Sequence, residues 1–522
     1  MTAMSDAVRD LPEANDNVLN KNLFDLIRER ITDPSKVFLE TAAGARMTYG
    51  DMLAATGRIA NTLILAGVEM GDRVAVQVEK SPENLLLYLA TLRVGGVYLP
   101  LNTAYTLTEL DYFIGDAEPK LVVCDTARRE GLAPVAQKHG VASIETLDKD
   151  GRGSLMDKAA KAPADCADVP RAASDLAAIL YTSGTTGRSK GAMLTHGNLA
   201  SNAQTLIETW RFTAKDVLLH ALPIYHTHGL FVASNVLMLA GGSMIFLPRF
   251  DADQVVQLLP RATSLMGVPT FYTRLVQHPG MTRAACAHMR LFTSGSAPLL
   301  AETHREFQDK TGHAILERYG MTETNMNTSN PYDGDRIAGT VGFPLAGVAL
   351  RIADPDSGKA LPQGEIGVIE VRGPNVFPGY WRLPEKTKAE FRPDGFFITG
   401  DVGKVDERGY VNIVGRAKDL IITGGFNVYP IEVEGEIDAL PGVSESAVVG
   451  CPHPDFGEGV TAVVVRSKGA TLTEKEVLDA LQIRLAKFKL PKRVIFADDL
   501  PRNAMGKVQK NLLRDQHAKI YS

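Results

Sequence analysis

Residues Tyr181–Gly191 read YTSGTTGRSKG, and apart from Tyr181 and Arg188 every one of them is Gly, Ser, Thr or Lys. The apolar run Leu176–Tyr181 leads into this segment and reads as a buried strand; Ala192-Met-Leu194 resumes apolar behind it. A loop of this make-up between two strands suits polyphosphate. Glycines let backbone N–H groups approach, hydroxyls donate and lysine supplies charge. The bland alternative, a flexible surface loop, rarely combines these features. The spacing is not that of a Walker A loop, which needs G-x-x-x-x-G-K-[ST] and a helix opening from it. Here Gly184 and Gly187 are three apart, Lys190 lies three further on, and Gly191 follows the lysine. P-loop ATPases are therefore disfavoured.

Outward from the loop, strand and helix signals alternate. Arg73–Val78, Lys120–Asp125, Val217–Leu222 and Gly242–Leu247 read as strands, Pro82–Val94 and Asn198–Trp210 as helices. This rhythm predicts an α/β fold with two covered, mostly parallel sheets. From Leu350 to Gly415 the turns become denser, which suits a barrel-like antiparallel β subdomain. The polar patch Gly415-Arg-Ala-Lys-Asp419 marks a boundary, and the chain beyond it reads as a small mobile α+β domain with a helix over Glu474–Lys487. The expected division is a disordered tail (1–20), an N-terminal domain (21–415), a hinge (416–419) and a C-terminal lid (420–522). The Ala/Asp-rich stretch Lys158–Ala173 reads as a surface connector.

A chain of 522 residues exceeds one compact core, and 45% hydrophobic with 22% charged residues is ordinary for a soluble globular protein. The net charge of −5 gives no reason to expect nucleic acid or an anionic membrane as partner. Cys124, Cys166, Cys286 and Cys451 form no C-x-x-C pair, so reduced thiols in a cytoplasmic protein are the simplest reading and structural zinc is disfavoured. The polar N-terminus lacks the apolar core of a secretory signal, and Ile520-Tyr-Ser522 is not the peroxisomal tripeptide. Protein partners cannot be read from the sequence.

Several further segments carry chemistry. Leu222-Pro-Ile-Tyr-His-Thr-His-Gly229 holds an H-x-H pair, which on a strand would turn both rings to one face. Tyr319-Gly-Met-Thr-Glu323 sets a hydroxyl beside a carboxylate, a donor set that suits Mg²⁺. Ser294-Gly-Ser-Ala-Pro-Leu299, Phe397-Ile-Thr-Gly-Asp401, Gly415-Arg416 and Pro501-Arg-Asn-Ala-Met-Gly-Lys507 complete the series. In this order the motifs resemble those of the adenylate-forming enzymes, which include acyl-CoA synthetases, luciferases and peptide-synthetase adenylation domains. The resemblance runs from about Leu23 to Leu513.

The resemblance implies ATP, Mg²⁺ and CoA as cofactor and co-substrates. It implies nucleotide contacts from Thr182, Ser183, Gly184, Thr185, Thr186, Gly187 and Lys190 of the loop. Further along it implies Ser296, Ala297 and Pro298, then Glu317, Arg318, Tyr319, Gly320, Met321 and Thr322. Asp401 would accept from the ribose hydroxyls and Arg416 would contact ribose and phosphate. Glu323 would hold the metal and Thr322 the phosphate; His226 would lie beside the reacting carboxylate. Lys507 would bridge carboxylate and α-phosphate during adenylation. Lys418 takes the hinge position, and Gly424 and Gly425 line the thiol tunnel after domain rotation.

The acid is read from basic residues where many relatives are apolar. Arg318 stands in Glu317-Arg-Tyr-Gly320, His228 lies two after His226, and Arg290 lies six before Ser296. Strand alternation places Arg290, Phe292, Ser294 and Ser296 on one face. The resemblance implies that this face looks into the acyl pocket, which makes Arg290, His228, Arg318 and Ser294 the acyl-pocket candidates. A buried Arg calls for an anion, so a short dicarboxylate fits, and within the family the chain is most similar to malonyl-CoA synthetases. Malonate leads, with methylmalonate next, and a medium-chain, aryl or other short acid is the alternative. Pairing of Arg290 with an acid of the protein itself also remains open.

Overall fold

The computed structural model describes residues 21–182, 189–424, 426–503 and 506–521. The expected tail, Ser183–Gly187 of the opening loop and Gly425 lie outside the described residues.

Two large sheets carry the first four hundred residues. In the six-stranded sheet the spatial order is Ser143–Thr146, Leu121–Cys124, Arg73–Gln77, Val97–Pro100, Leu176–Thr182 and Lys190–Thr195. All neighbours are parallel except the last pair, where the strand that leads into the opening loop turns back on itself. The nine-stranded sheet has a parallel centre formed by Leu316–Met321, Leu291–Ser294, Ser264–Gly267, Val217–His220, Ser243–Phe246 and Val37–Thr41. Both sheets are covered by helices, as the near-continuous apolar strands require.

Local chemistry starts those helices. Ser81 caps Pro82–Arg93 with Pro82 in its first turn, and Thr195 with Asn198 forms a capping box on His196–Trp210. Tyr49–Leu65 begins in the same way on Thr48 and Asp51. The His226/His228 pair lies not on a strand but in a loop and at the start of a π-turned helix, His228–Ser234.

The turn-rich region forms a four-stranded antiparallel sheet, Ala349–Ala353, Gly367–Arg372, Phe397–Val405 and Val411–Arg416. Its pairing is the antiparallel one expected, and among the described strands it does not close into a barrel. A 3₁₀ turn, Ala417–Asp419, then leads into the last sheet, where Val443–His453 and Gly457–Arg466 form a long hairpin. That sheet has a core of its own, including Val433, Ile437, Val464 and Leu481. No helix among the described residues is long and apolar enough to cross a membrane.

The Ala/Asp-rich connector is held more firmly than its composition suggests. Arg93 pairs with Asp168 and donates to the Cys166 carbonyl at 2.7 Å. Arg58 reaches Ala162 and Asn61 reaches Pro163 and Asp165. The strap lies so close to the helix that a Cβ on Gly57 would fall 1.8 Å from the Ala164 carbonyl oxygen. Gly57→Ala should therefore destabilise the N-terminal region by about 1–3 kcal/mol through overpacking, read by thermal or denaturant unfolding, while Michaelis constants stay unchanged.

Candidate active site

The C-terminal ends of four adjacent parallel strands, Val217–His220, Ser264–Gly267, Leu291–Ser294 and Leu316–Met321, open onto one cleft. Such ends are where open α/β sheets bind ligands, because the loops that leave them are free to vary. Arg318 rises from the last of these strands. Its side chain is buried, and Nε and Nη2 have no acceptor among the described residues. The guanidinium lies across Gly295, where a Cβ would come within 2.3 Å of Nη1, so only glycine leaves it room. Burial pulls Arg318 down to about 9, with Tyr272 acting weakly the other way, and it stays charged at neutral pH.

Two histidines face this cation. His228 is buried with Nε2 unpartnered, and its Nδ1 lies 3.4 Å from Ser296 Oγ. Ser296 itself adopts φ +74°, a left-handed conformation rare outside glycine. Burial, Arg318 and Lys507 together hold His226 down to about 4, so it is a neutral imidazole at pH 7. Ser294, at the end of strand Leu291–Ser294, has a buried hydroxyl with no partner among the described residues.

The nucleotide candidates gather on the other side of Arg318. Tyr319 donates to Asp401 Oδ2 at 2.6 Å, and Arg416 Nε lies 3.0 Å from Asp401 Oδ1. Gly320 closes the next turn: a Cβ there would sit 1.9 Å from the Asn325 carbonyl oxygen. That turn presents Thr322 and Glu323. Glu323 is buried, forms no ion pair among the described residues, and its carboxyl is raised by burial. Tyr380 donates to Glu323 Oε1 at 3.0 Å. A buried carboxylate short of a cation fits Mg²⁺, which takes few protein oxygens and keeps the rest for water and phosphate.

Lys507 comes from the C-terminal hairpin. Lys507 N–H donates to Asn503 Oδ1 at 3.0 Å, and Arg502 donates to the Gly506 carbonyl while pairing with Glu445. Gly506 packs against Thr270 at the start of helix Pro269–Gln277, which sets the hairpin over the cleft. Burial and then Arg416 lower the ammonium to about 8, partly offset by Asp401. Lys418, in the 3₁₀ turn, is lowered chiefly by desolvation. Its neighbour Asp419 pairs with Arg514 at 2.5 Å. Gly424 adopts φ +56° and donates to the Phe456 carbonyl.

One expectation needs correction. Arg290 does not reach the cleft: it precedes strand Leu291–Ser294, at the far end from Ser296. There it lies 2.6 Å from buried Asp216, donates to the Trp210 carbonyl and stacks over Phe212. Strand alternation gives the face of a residue but not the end of the strand from which it projects. The Glu317 carboxylate also turns away, toward His304 and the Gly339 N–H, because it alternates with Arg318. Lys190, expected on phosphate, is held by Glu390 at 3.1 Å over the Tyr380 ring. Tyr380 bridges Glu390 and Glu323, and neither Tyr380 nor Glu390 stands out in sequence, since their roles depend on partners far along the chain.

The family model for AMP-binding enzymes matches residues 29–381, and that for their C-terminal domain matches residues 432–507. The chain belongs to the AMP-binding enzyme family. Among solved structures, ATP-bound MatB from Rhodopseudomonas palustris is 67% identical, with a TM-score of 0.95 over 97% of this chain and 100% of that one. A feruloyl-CoA synthase from Amycolatopsis is 37% identical, covering 90% of this chain and 94% of the relative. A malonate–CoA ligase from Arabidopsis thaliana is 35% identical, covering 85% and 78% respectively.

Because Lys507 is an ammonium below about pH 8 and an amine above it, it should differ from exposed lysines. Competitive acylation followed by peptide mass spectrometry should show its reactivity rising through about pH 8, earlier than the bulk lysines with their pKa of about 10.4.

Proposed function

We propose that this enzyme joins malonate to coenzyme A at the expense of ATP, releasing AMP and pyrophosphate. The observation that carries the reading is Arg318, a buried guanidinium with two nitrogens that no described group satisfies. An isolated buried charge costs several kcal/mol, and a carboxylate on the substrate removes that cost through charge-assisted hydrogen bonds. One carboxylate of the acid is held by Arg318 and His228, while the other faces Lys507 and His226. Malonate–CoA ligases among the relatives support the choice. Methylmalonate adds one methyl, worth about 1–3 kcal/mol of discrimination at most in a pocket of fixed shape, and is the next candidate.

A carboxylate oxygen attacks the α-phosphorus of ATP, and the bond to the bridging oxygen breaks with its electron pair on pyrophosphate. Lys507 and Arg416 offset the charge that gathers at the α-phosphate. Asp401 orients the ribose, and Tyr319 fixes Asp401. Glu323 would hold Mg²⁺, which when bound would supply charge to offset that of the phosphates. The thiol sulfur of CoA then attacks the acyl carbon, and the C–O bond breaks to release AMP as the thiol proton is lost. The C-terminal domain turns about Lys418 between these steps, which withdraws Lys507 and brings Gly424–Gly425 to the cleft. The four buried free thiols support a cytoplasmic setting.

The feruloyl-CoA synthase among the relatives favours a second reading, an aryl acid. A charged guanidinium and an unpartnered imidazole at the pocket wall oppose it, since an aryl side chain satisfies neither. CoA-dependent AMP formation across acetate, malonate, methylmalonate, succinate, benzoate and hexanoate separates the two. Higher kcat/KM for benzoate or hexanoate than for malonate would reject the dicarboxylate reading.

Arg318→Met should cut kcat/KM for malonate by about 30- to 900-fold, the equivalent of about 2–4 kcal/mol, with the KM for ATP little changed. Arg290→Met should leave malonate kinetics intact and lower the melting temperature, because it strands Asp216. Lys507→Ala should abolish malonate-dependent pyrophosphate release yet spare thioester formation from supplied malonyl-adenylate. Equal loss of both half-reactions would remove Lys507 from the first.

A further inference from the structure

Behind the histidine wall lies a lysine that the proposed chemistry does not use. Lys80 sits between strand Arg73–Gln77 and helix Pro82–Arg93, and projects from the six-stranded sheet into the nine-stranded one. It is buried, and no described carboxylate lies within ion-pair distance of it. Nζ donates to the His220 carbonyl at 2.8 Å, lies 3.0 Å from His220 Nδ1 and rests 4.1 Å from the centre of the Phe246 ring. On the far side of the imidazole, Nε2 lies 2.9 Å from the Gly229 carbonyl and 3.1 Å from Ser234 Oγ. The Ser234 hydroxyl donates to the same carbonyl at 2.8 Å.

This set of contacts fixes the tautomer. A carbonyl oxygen only accepts, so the proton of the neutral ring is on Nε2 and Nδ1 is left to accept from Lys80. Lys80 therefore grips both ends of residues 220–229: the His220 carbonyl directly, and the Gly229 carbonyl through the ring. Gly229 is wedged as well, since a Cβ there would fall 2.0 Å from the Pro223 carbonyl oxygen. Between these two fixed points the chain presents His226 and His228 to the cleft, and His228 is the residue next to the clamped carbonyl.

A methionine would fill the same space beside Phe246 without the penalty of burying an amine. What the amine adds is hydrogen bonds to His220. We infer that Lys80 is a positioning residue of the acyl pocket: acting through His220, it sets the Gly229 carbonyl and thereby the aim of His228 at the second carboxylate of the acid. Lys80 does not touch the acid.

The inference rests on malonate as substrate, and the test separates the two ideas. Lys80→Met and Ser234→Ala are compared with wild type on malonate and on acetate, which lacks the second carboxylate. In Lys80→Met, kcat/KM for malonate should fall by about tenfold or more, chiefly through KM, with acetate kcat/KM and the KM for ATP within about twofold. Ser234→Ala removes one of the two side-chain donors to the same carbonyl and should show a smaller loss, about two- to fivefold, with the same split. Equal losses on both acids, or an unchanged malonate KM, would overturn the role of Lys80. If Lys80→Met does not fold, Ser234→Ala decides alone by the same criteria. Wild type preferring acetate to malonate would instead reject the substrate reading.

Discussion

Positive charge that the fold leaves uncompensated governs this cleft. Arg318 and Lys507 converge on a space where burial strips both of water, beside Arg416 and its partner Asp401. Among the described acids, Asp401 is tied to Tyr319 and Arg416, and Asp419 is engaged by Arg514. The remaining cations await anions from outside. Holding them in place costs folding free energy, and the surrounding scaffold supplies it: two helix-covered sheets with an extensive apolar core. Burial first, and then the neighbouring cation Arg318, lower the pKa of His226 and His228 and keep both rings neutral.

The charges arrive from separate parts of the chain, and each is aimed by a neighbour that cannot be read locally. Arg318 needs the missing side chain of Gly295. Lys507 needs Arg502 and Glu445 to stiffen its hairpin, together with the contact between Gly506 and Thr270 that seats the hairpin on the N-terminal sheet. Glu323 needs Tyr380, whose hydroxyl it shares with Glu390. Groups held in this way lose little freedom when a ligand enters, which is the condition for electrostatic stabilisation to act on a transition state.

Much of the fold was legible in the sequence because it is written in short-range pattern. Apolar runs bounded by turn residues marked the parallel strands, and the apolar face of Pro82–Val94 marked a covering helix. The antiparallel region from Leu350 showed in its turn density. The site was legible where contiguous motifs carry it, as in Tyr319–Glu323. It failed where position along a strand mattered. Arg290 and Ser296 share a strand face in projection, yet the strand begins after Arg290, so Arg290 projects at the opposite edge of the sheet, where Asp216 waits. Glu390 and Lys80 were silent for a related reason: their partners are far away in the chain, and no periodicity announces a contact between two sheets.

Strand Leu316–Met321 acts as a partition through the cleft. Arg318 points into the cleft, while Tyr319, the next residue, turns to Asp401. Because neighbouring side chains on a strand face opposite ways, the identity of the acid and the grip on the nucleotide are separate inheritances carried on adjacent codons. A lineage can exchange the first without disturbing the second. The single alternation of one strand thus gives the scaffold a modular economy, in which new acids are reached by small steps from a working enzyme.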